Sequence, residues 1–209
     1  MCEVLILSVG IFAVTGGSPA ENAGIIAGDR IVSINGEPVT DEIDYQSLSA
    51  VRNPEIIIIH QGESRCIKIR KDEWEPIGLC LDETEAMKPR HCRNRCLFCF
   101  VDQLPAHVRD TMRVKDDDWR MSLMMGNYVT LTNVSDAELD RIIRRHCSPL
   151  YISVHCTDPD LRTHVLGTPR ARRLMGQLQR LSEGGIEFHC QCVLCPGIND
   201  GEALDRTIR

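Results

Sequence analysis

The sequence has no excess of positive charge and no hydrophobic run long enough to cross a membrane. Its 24 lysine and arginine residues are outnumbered by 30 aspartate and glutamate residues, which gives a formal net charge of −6. This balance, without a basic stripe, provides no electrostatic surface for nucleic acid. The apolar residues 4–14 follow Glu3 with no basic segment and are interrupted by Gly10. They therefore predict one or two strands and exclude a signal peptide or a membrane span.

Cysteine, in contrast, is abundant, with 11 cysteines in 209 residues. An odd number of cysteines without a secretory signal argues against a disulfide framework. The sequence therefore predicts reduced thiols, a cytoplasmic location and a metal site formed by some of these cysteines.

The first 72 residues predict a small, mainly β domain. Asn35-Gly36 is a strong signal for a two-residue hairpin turn, and Ser18-Pro19 predicts the start of a short helix. Four segments together resemble a PDZ domain of the bacterial type, namely residues 17–20, 23–25, 28–31 and 34–36. The resemblance implies that a peptide or protein partner binds by strand addition beside a glycine-rich loop. The alternative is a domain that only packs against its neighbour.

Residues 73–91 are predicted to be a linker that contains a candidate first barrel strand at residues 78–81. Within it, Ile77-Gly78-Leu79 could supply the glycine-rich loop of the PDZ-like domain. Later in the chain, predicted strands at residues 128–132, 150–155 and 186–194 alternate with helices. One of these helices is expected to begin at the capping box Ser135-Asp136-Ala137-Glu138. Because strands that alternate with helices imply parallel βαβ units, residues 92–209 predict an α/β domain.

Three cysteines, Cys92, Cys96 and Cys99, lie on one short segment. A loop of this length can hold one corner of a [4Fe–4S] cluster and leave one iron without a protein ligand. That iron could chelate the amino and carboxylate groups of S-adenosylmethionine. A zinc site is one alternative, but zinc usually takes four protein ligands, and the adjacent residues His91 and Cys92 rarely bind one ion together. Incidental buried thiols are the other alternative.

The pattern Cys-x3-Cys-x-Phe-Cys, with Phe98 before the third cysteine, resembles the radical SAM superfamily. With the PDZ-like segment before it, the chain is similar to the uncharacterised radical SAM proteins of the DUF512 group. The resemblance implies an enzyme with a [4Fe–4S] cluster, S-adenosylmethionine and an external electron donor. It implies reductive cleavage to a 5′-deoxyadenosyl radical, which takes hydrogen from an unidentified substrate, by fold analogy a peptide or protein. The alternative is a PDZ-like binding module with a structural or redox-sensing cluster.

The resemblance also implies a partial (β/α) barrel of the radical SAM type. The predicted βα units before Arg209 are fewer than such a core generally has. The barrel is therefore expected to be incomplete, and the chain to be truncated at its C-terminus relative to its family.

Alternation along the predicted strands selects residues for the barrel lumen, because side chains two apart share one face of a strand. From this pattern the candidate cofactor contacts are Thr130, Thr132, Ser153, His155 and Gln191. The resemblance adds Phe98, expected near the adenine, and Gly126 and Asn127, in a segment that departs from the family's Gly-Gly-Glu pattern. His155 is also a candidate proton donor or substrate contact. The alternative for all of these polar residues is hydrogen bonding within the barrel core.

Two further groups have structural explanations as well as functional ones. Cys190, Cys192 and Cys195 could bind an auxiliary cluster, but their place on a strand favours packing against helices. Residues 116–118 are three consecutive aspartates without the spacing of a calcium loop. They predict a solvated turn, with a role in substrate binding as the alternative.

Overall fold

The computed structural model describes residues 8–209. The chain divides into two compact units, Met1–Lys88 and Pro89–Arg209, and each is described by itself. The strand predicted in the apolar residues 4–14 is observed from Val9 onward. Residues 4–7 lie outside the described part of the chain.

The first unit is built on a six-stranded sheet in which the paired strands are antiparallel. Its strands are β1 (Val9–Val14), β2 (Arg30–Ile34), β3 (Glu37–Pro38), β4 (Glu55–His60), β5 (Glu63–Lys68) and β6 (Leu79–Leu81). Its helices are α1 (Pro19–Asn22), α2 (Glu42–Ser49) and α3 (Glu83–Ala86). The strand order is β5-β4-β2-β1-β6, and β3 pairs with β2. The prediction of a mainly β domain is confirmed.

Isoleucine side chains of the two central strands fill the core of this unit. Ile31 and Ile34 in β2 and Ile56 and Ile58 in β4 are all buried. The short helices begin where the sequence supplies a capping side chain, as at Asp41, whose carboxylate accepts the backbone N–H groups at the start of α2.

The prediction that residues 78–81 begin a parallel barrel is wrong. This segment forms β6, which pairs antiparallel with β1 and places Leu79 opposite Val14. The side chains of Leu79 and Leu81 are both buried in the core of the first unit. The hydrophobic core of the first unit, rather than any barrel, therefore determines the position of this strand, and its sheet includes residues beyond the predicted boundary at residue 72.

The second unit contains α4 (Trp119–Met125), α5 (Asp136–Arg144), β7 (Leu150–Ser153), α6 (Pro159–Leu166), α7 (Leu174–Glu183), β8 (Phe188–Gln191) and α8 (Gly201–Ile208). Short 3-10 helices lie at Asp110–Arg113 and Pro169–Arg173. Helix α5 begins with the predicted capping box, in which the Ser135 hydroxyl and the Glu138 carboxylate each accept a backbone N–H of the other residue. No helix within residues 8–209 is long and apolar enough to cross a membrane.

Three segments of the second unit run parallel to one another. β7 pairs with β8, and Val129 forms a parallel bridge to Ile152. The predicted parallel pairing is confirmed for these segments, but the first predicted strand, residues 128–132, is reduced to one bridge residue. Leu131 has a φ of +61°, and this left-handed backbone ends the extended conformation that a longer strand requires.

Candidate functional site

A cavity of about 640 Å³ lies in the second unit. Its lining includes all three cysteines of the predicted cluster motif, Cys92, Cys96 and Cys99. Six of the predicted cofactor contacts also line it: Phe98, Asn127, Thr130, Ser153, His155 and Gln191. The structure therefore brings together the cysteine segment and the polar ends of all three parallel segments.

Residues 92–99, which we call the cysteine loop, are held by backbone hydrogen bonds at their start and in their middle. At its start, the Cys92 N–H donates to the carbonyl of Lys115 at 2.8 Å, and His91 forms an antiparallel bridge with Asp116. Farther along, the N–H groups of Arg95 and Leu97 donate to the last carbonyls of α6, at 2.9 and 3.0 Å. The carbonyls at the end of a helix lack partners within that helix, and the cysteine loop supplies them.

Two thiols of the cysteine loop, those of Cys92 and Cys96, have raised pKa values. Burial is the largest of the causes that raise the pKa of Cys92 to about 11 and that of Cys96 to about 12, and neighbouring thiols of the loop act in the same direction. All three residues are free cysteines. A thiol with so high a pKa stays protonated at neutral pH unless a metal ion takes the place of the proton or a nearby positive charge lowers the pKa.

The donor set, three thiols that line one cavity, is compatible with the ligand set of an iron–sulfur cluster. A mononuclear zinc site needs all of its ligands around one point, whereas a cubane presents a separate iron to each cysteine. Three thiols spread around one cavity therefore match the ligand set of a cluster.

The aspartates at residues 116–118 do not form the predicted solvated turn, because Asp117 and Asp118 are buried. Asp118 caps α4 and forms an ion pair of 2.6 Å with Arg120. Asp117 accepts a hydrogen bond of 2.6 Å from the Thr130 N–H. The signal for Asp118 was present in the sequence as an N-cap residue before an apolar segment, but nothing local could identify the distant donor to Asp117.

Two predicted cofactor contacts, Gly126 and Thr132, do not line the cavity. Gly126 ends α4 in the left-handed conformation and faces the ring of Tyr151. The Thr132 hydroxyl lies in a buried hydrogen-bonded group with Asn94 and Asp117. Hydrogen bonding within the core, the alternative considered from the sequence, is therefore what Thr132 does.

His155 is held as a neutral side chain beside Phe98. The two ring centroids are 4.6 Å apart in an edge-on arrangement. Burial and, to a smaller extent, the charge of Arg162 lower the pKa of His155 to about 4. Its Nδ1 accepts a hydrogen bond of 3.1 Å from the Val193 N–H, so the neutral ring bears its hydrogen on Nε2.

Arg162 is a residue of this region that the sequence did not single out. Its buried guanidinium donates to the carbonyls of Thr130, Ser153, Val154 and Ala171 at 2.8–3.0 Å. Two of these carbonyls lie at the ends of neighbouring parallel segments, so one cation holds these ends at a fixed separation. An arginine on a short helix gives no sequence signal of such a role.

The second group of thiols, Cys190, Cys192 and Cys195, is more exposed than the predicted packing against helices requires. Cys190 is exposed, and Cys192 and Cys195 are partly exposed, so packing against helices is wrong for Cys190. The backbone N–H of Cys195 donates to Asn199, whose side-chain amide in turn donates to the carbonyl of His155. This segment therefore helps to support His155.

Comparison with known proteins gives a family match for each of the two parts of the chain. The sequence model of the PDZ domain matches residues 11–59. Among solved structures, the PDZ domain of an SdrC-like protein from Listeria monocytogenes is 23% identical, covers 39% of this chain and 94% of its own, and has a TM-score of 0.33. The corresponding domain from Listeria innocua is 24% identical, covers 35% of this chain and 92% of its own, and has a TM-score of 0.30.

The sequence model of the radical SAM-like domain matches residues 71–209, which is well over half of the chain. The matched region contains the cysteine loop and every residue that lines the cavity. The chain therefore belongs to the radical SAM-like domain family.

Proposed function

We propose that this chain is a radical SAM enzyme in which Cys92, Cys96 and Cys99 hold a [4Fe–4S] cluster and the adjoining cavity takes S-adenosylmethionine. The observation that supports this proposal is that all three thiols line one cavity with polar side chains from three parallel segments. When bound, the cluster would supply an electron that cleaves S-adenosylmethionine to methionine and a 5′-deoxyadenosyl radical.

The lining of the cavity combines polar and apolar groups. Ser153 and Gln191 offer a hydroxyl and an amide group for the polar parts of a nucleoside cofactor. Thr130 also lines the cavity, but its hydroxyl is already bonded to Asp117 and Asn94. The rings of Phe98 and Phe100, with Val101, Val114 and Val193, add apolar surface to the same lining. Asn127 also lines the cavity, and in this proposal it contacts the cofactor.

His155 acts in this proposal as a neutral cofactor or substrate contact. Because its pKa lies near 4, it is not an imidazolium acid at neutral pH. Its Nδ1 is already an acceptor for Val193, so the hydrogen available for donation is the one on Nε2.

The finer features of the family assignment belong to the same proposal. The parallel segments and their helices would form an incomplete (β/α) barrel, and the chain would belong to the DUF512 group of radical SAM proteins. An external electron donor would reduce the cluster. The cysteine content supports a cytoplasmic location, since thiols of a cluster site need a reducing compartment.

A peptide or protein partner would bind the first unit along β6. This strand ends the sheet and directly follows Ile77 and Gly78 of the proposed glycine-rich loop. Strand addition requires an edge of this kind. The substrate would then be a peptide or protein, or a molecule that such a partner presents.

Anaerobic reconstitution tests the proposal. The reduced protein is expected to contain iron and sulfide and to release 5′-deoxyadenosine from S-adenosylmethionine, as measured by mass spectrometry. Replacing Cys92, Cys96 and Cys99 together by alanine should abolish both results. The matched control replaces Cys190, Cys192 and Cys195 by alanine and should retain the iron content, unless these residues bind an auxiliary cluster.

Two outcomes would contradict the proposal. Zinc in place of iron would exclude the cluster and its chemistry. A stable cluster without 5′-deoxyadenosine would favour the alternative of a PDZ-like binding module with a structural or redox-sensing cluster.

A further inference from the structure

We propose that Asp117 and Thr132 are positioning residues that hold the cysteine loop in place through the side chain of Asn94. The proposal rests on the proposed function only in taking Cys92, Cys96 and Cys99 as cluster ligands. Neither Asp117 nor Thr132 is assigned a contact with the cluster. Their effect on the thiols is transmitted by Asn94, which lies between the first two cysteines of the loop.

Asn94 is buried, with 2% of its surface exposed, although it belongs to a loop that lines an open cavity. Its side-chain amide nitrogen donates to the Thr130 hydroxyl at 2.9 Å. Its amide oxygen accepts from the Thr132 hydroxyl at 2.7 Å. Both polar ends of the side chain are therefore bound to the segment that follows the parallel bridge at Val129.

Asp117 fixes the direction of these hydrogen bonds. Its carboxylate accepts from the Thr130 N–H at 2.6 Å and from the Thr130 hydroxyl at 2.7 Å. Because that hydroxyl gives its only hydrogen to Asp117, it can only accept from Asn94. A rotated amide would place the Asn94 side-chain oxygen against the Thr130 hydroxyl oxygen, which has no hydrogen left to donate, so this contact favours the observed orientation.

The main chain of Asn94 is also held by a hydrogen bond. Its carbonyl accepts a hydrogen bond of 2.9 Å from the Lys115 ammonium, and the Lys115 carbonyl accepts the N–H of Cys92. Buried polar groups that are fully bonded favour a single conformation over alternatives. The cysteine loop is therefore held in one conformation by the protein itself.

Hydrogen exchange of the metal-free chain tests this directly. Thr132→Val removes the hydroxyl without changing the shape of the side chain, and Thr132→Ser keeps it. We expect faster amide exchange across residues 92–99 in Thr132→Val and in Asp117→Asn, with β7 unchanged, and wild-type exchange in Thr132→Ser. The control Asp44→Asn alters a carboxylate that is equally buried, at 4% exposure, and also binds a threonine, but lies in the first unit. Unchanged exchange of the cysteine loop in Thr132→Val would overturn the proposal, and this variant decides the matter even if Asp117→Asn does not fold.

Iron release to a chelator provides the second measurement. Partners that orient metal ligands typically affect metal affinity by about 10-fold or more, so we expect the reconstituted Thr132→Val protein to lose iron about 10-fold faster than wild type. Thr132→Ser should restore the wild-type rate, and equal rates for the Val and Ser variants would contradict the proposal. If the wild-type protein binds no iron, the proposed function fails while the exchange experiment still decides the positioning role.

Discussion

Gly167 lies so close to the main chain of Arg95 that a β-carbon at position 167 would be 2.6 Å from the Arg95 carbonyl oxygen. Gly167 also has a φ of +62°, a left-handed conformation that other residues rarely adopt. It ends α6 at the point where the cysteine loop takes the last carbonyls of that helix. The close approach of the loop to the helix therefore depends on the missing side chain.

Gly167→Ala is expected to displace the cysteine loop and to lower the free energy of unfolding of the second unit. The left-handed conformation alone costs an alanine about 1–2 kcal/mol, and the contact with Arg95 adds to this cost. Denaturant unfolding measures the loss, and iron content after reconstitution measures the displacement. The control is Gly176→Ala, in α7, where an added β-carbon meets no atom within 4 Å. It should be neutral or stabilising, because alanine favours a helix, and equal losses for both variants would contradict the prediction.

Arg162→Met is expected to destabilise the second unit by about 3 kcal/mol or more, because it leaves several buried carbonyls without a donor. Arg162→Lys should recover only part of the loss, since an ammonium cannot reproduce the planar guanidinium. Urea unfolding followed by circular dichroism measures both. Arg172→Met, which removes a surface ion pair with Asp160, is the control and should change the stability by less than about 1 kcal/mol. A loss of that small size for Arg162→Met would contradict the structural role assigned to it.

Acidification is expected to destabilise the second unit through His155. The pKa of this side chain is about 4 in the folded protein, against 6.5 for an unperturbed histidine. The unfolded chain therefore binds one proton more than the folded chain between these two values, and the free energy of unfolding falls as the pH decreases through that range. The contribution of His155 is complete above pH 6.5 and amounts to about 3 kcal/mol.

The matched variant for this prediction is His155→Asn, whose side-chain oxygen can accept the Val193 N–H but does not titrate. Denaturant unfolding over a pH series should show a weaker dependence on pH in the variant than in the wild type between about pH 4 and 6.5. Identical slopes would show that His155 titrates in the folded protein as it does in the unfolded chain.

Tyr45→Phe is expected to destabilise the first unit by about 1 kcal/mol. The Tyr45 hydroxyl accepts a hydrogen bond of 3.3 Å from the backbone N–H of Leu79, at the start of β6, and burial raises the pKa of this phenol to about 12. The variant leaves the buried N–H without its acceptor. Thermal unfolding measures the loss, and the Leu79 amide should exchange faster. A protected amide in the variant would mean that another acceptor replaces Tyr45.

Local sequence patterns predicted the elements whose causes are local. The hairpin turn at Asn35-Gly36, the capping box at Ser135 and the cysteine spacing each depend on residues only a few positions apart. The partner of β6 could not be predicted in this way, because a three-residue apolar strand fits equally well in either unit. Its buried leucines pack in a core made by residues far away in the sequence.

The same distinction holds at the candidate site. Alternation along the strands correctly selected Thr130, Ser153 and Gln191 as residues that line the cavity. It failed for Thr132, because the left-handed backbone at Leu131 ends the alternation. The burial of Asp117 could not be predicted, because its hydrogen bonds with Thr130 form only in the folded chain.

The cysteine loop is in contact with three segments that the ribosome makes after it: Lys115, the residues around Thr130, and the end of α6. The last of these lies some seventy residues beyond the cysteines, since the Arg95 N–H donates to Leu166. A nascent chain that has exposed only its cysteines therefore lacks the surroundings that shape the loop. Under the proposed function, iron incorporation would consequently come late in biogenesis, and a bound cluster would report that the second unit has folded at least as far as α6.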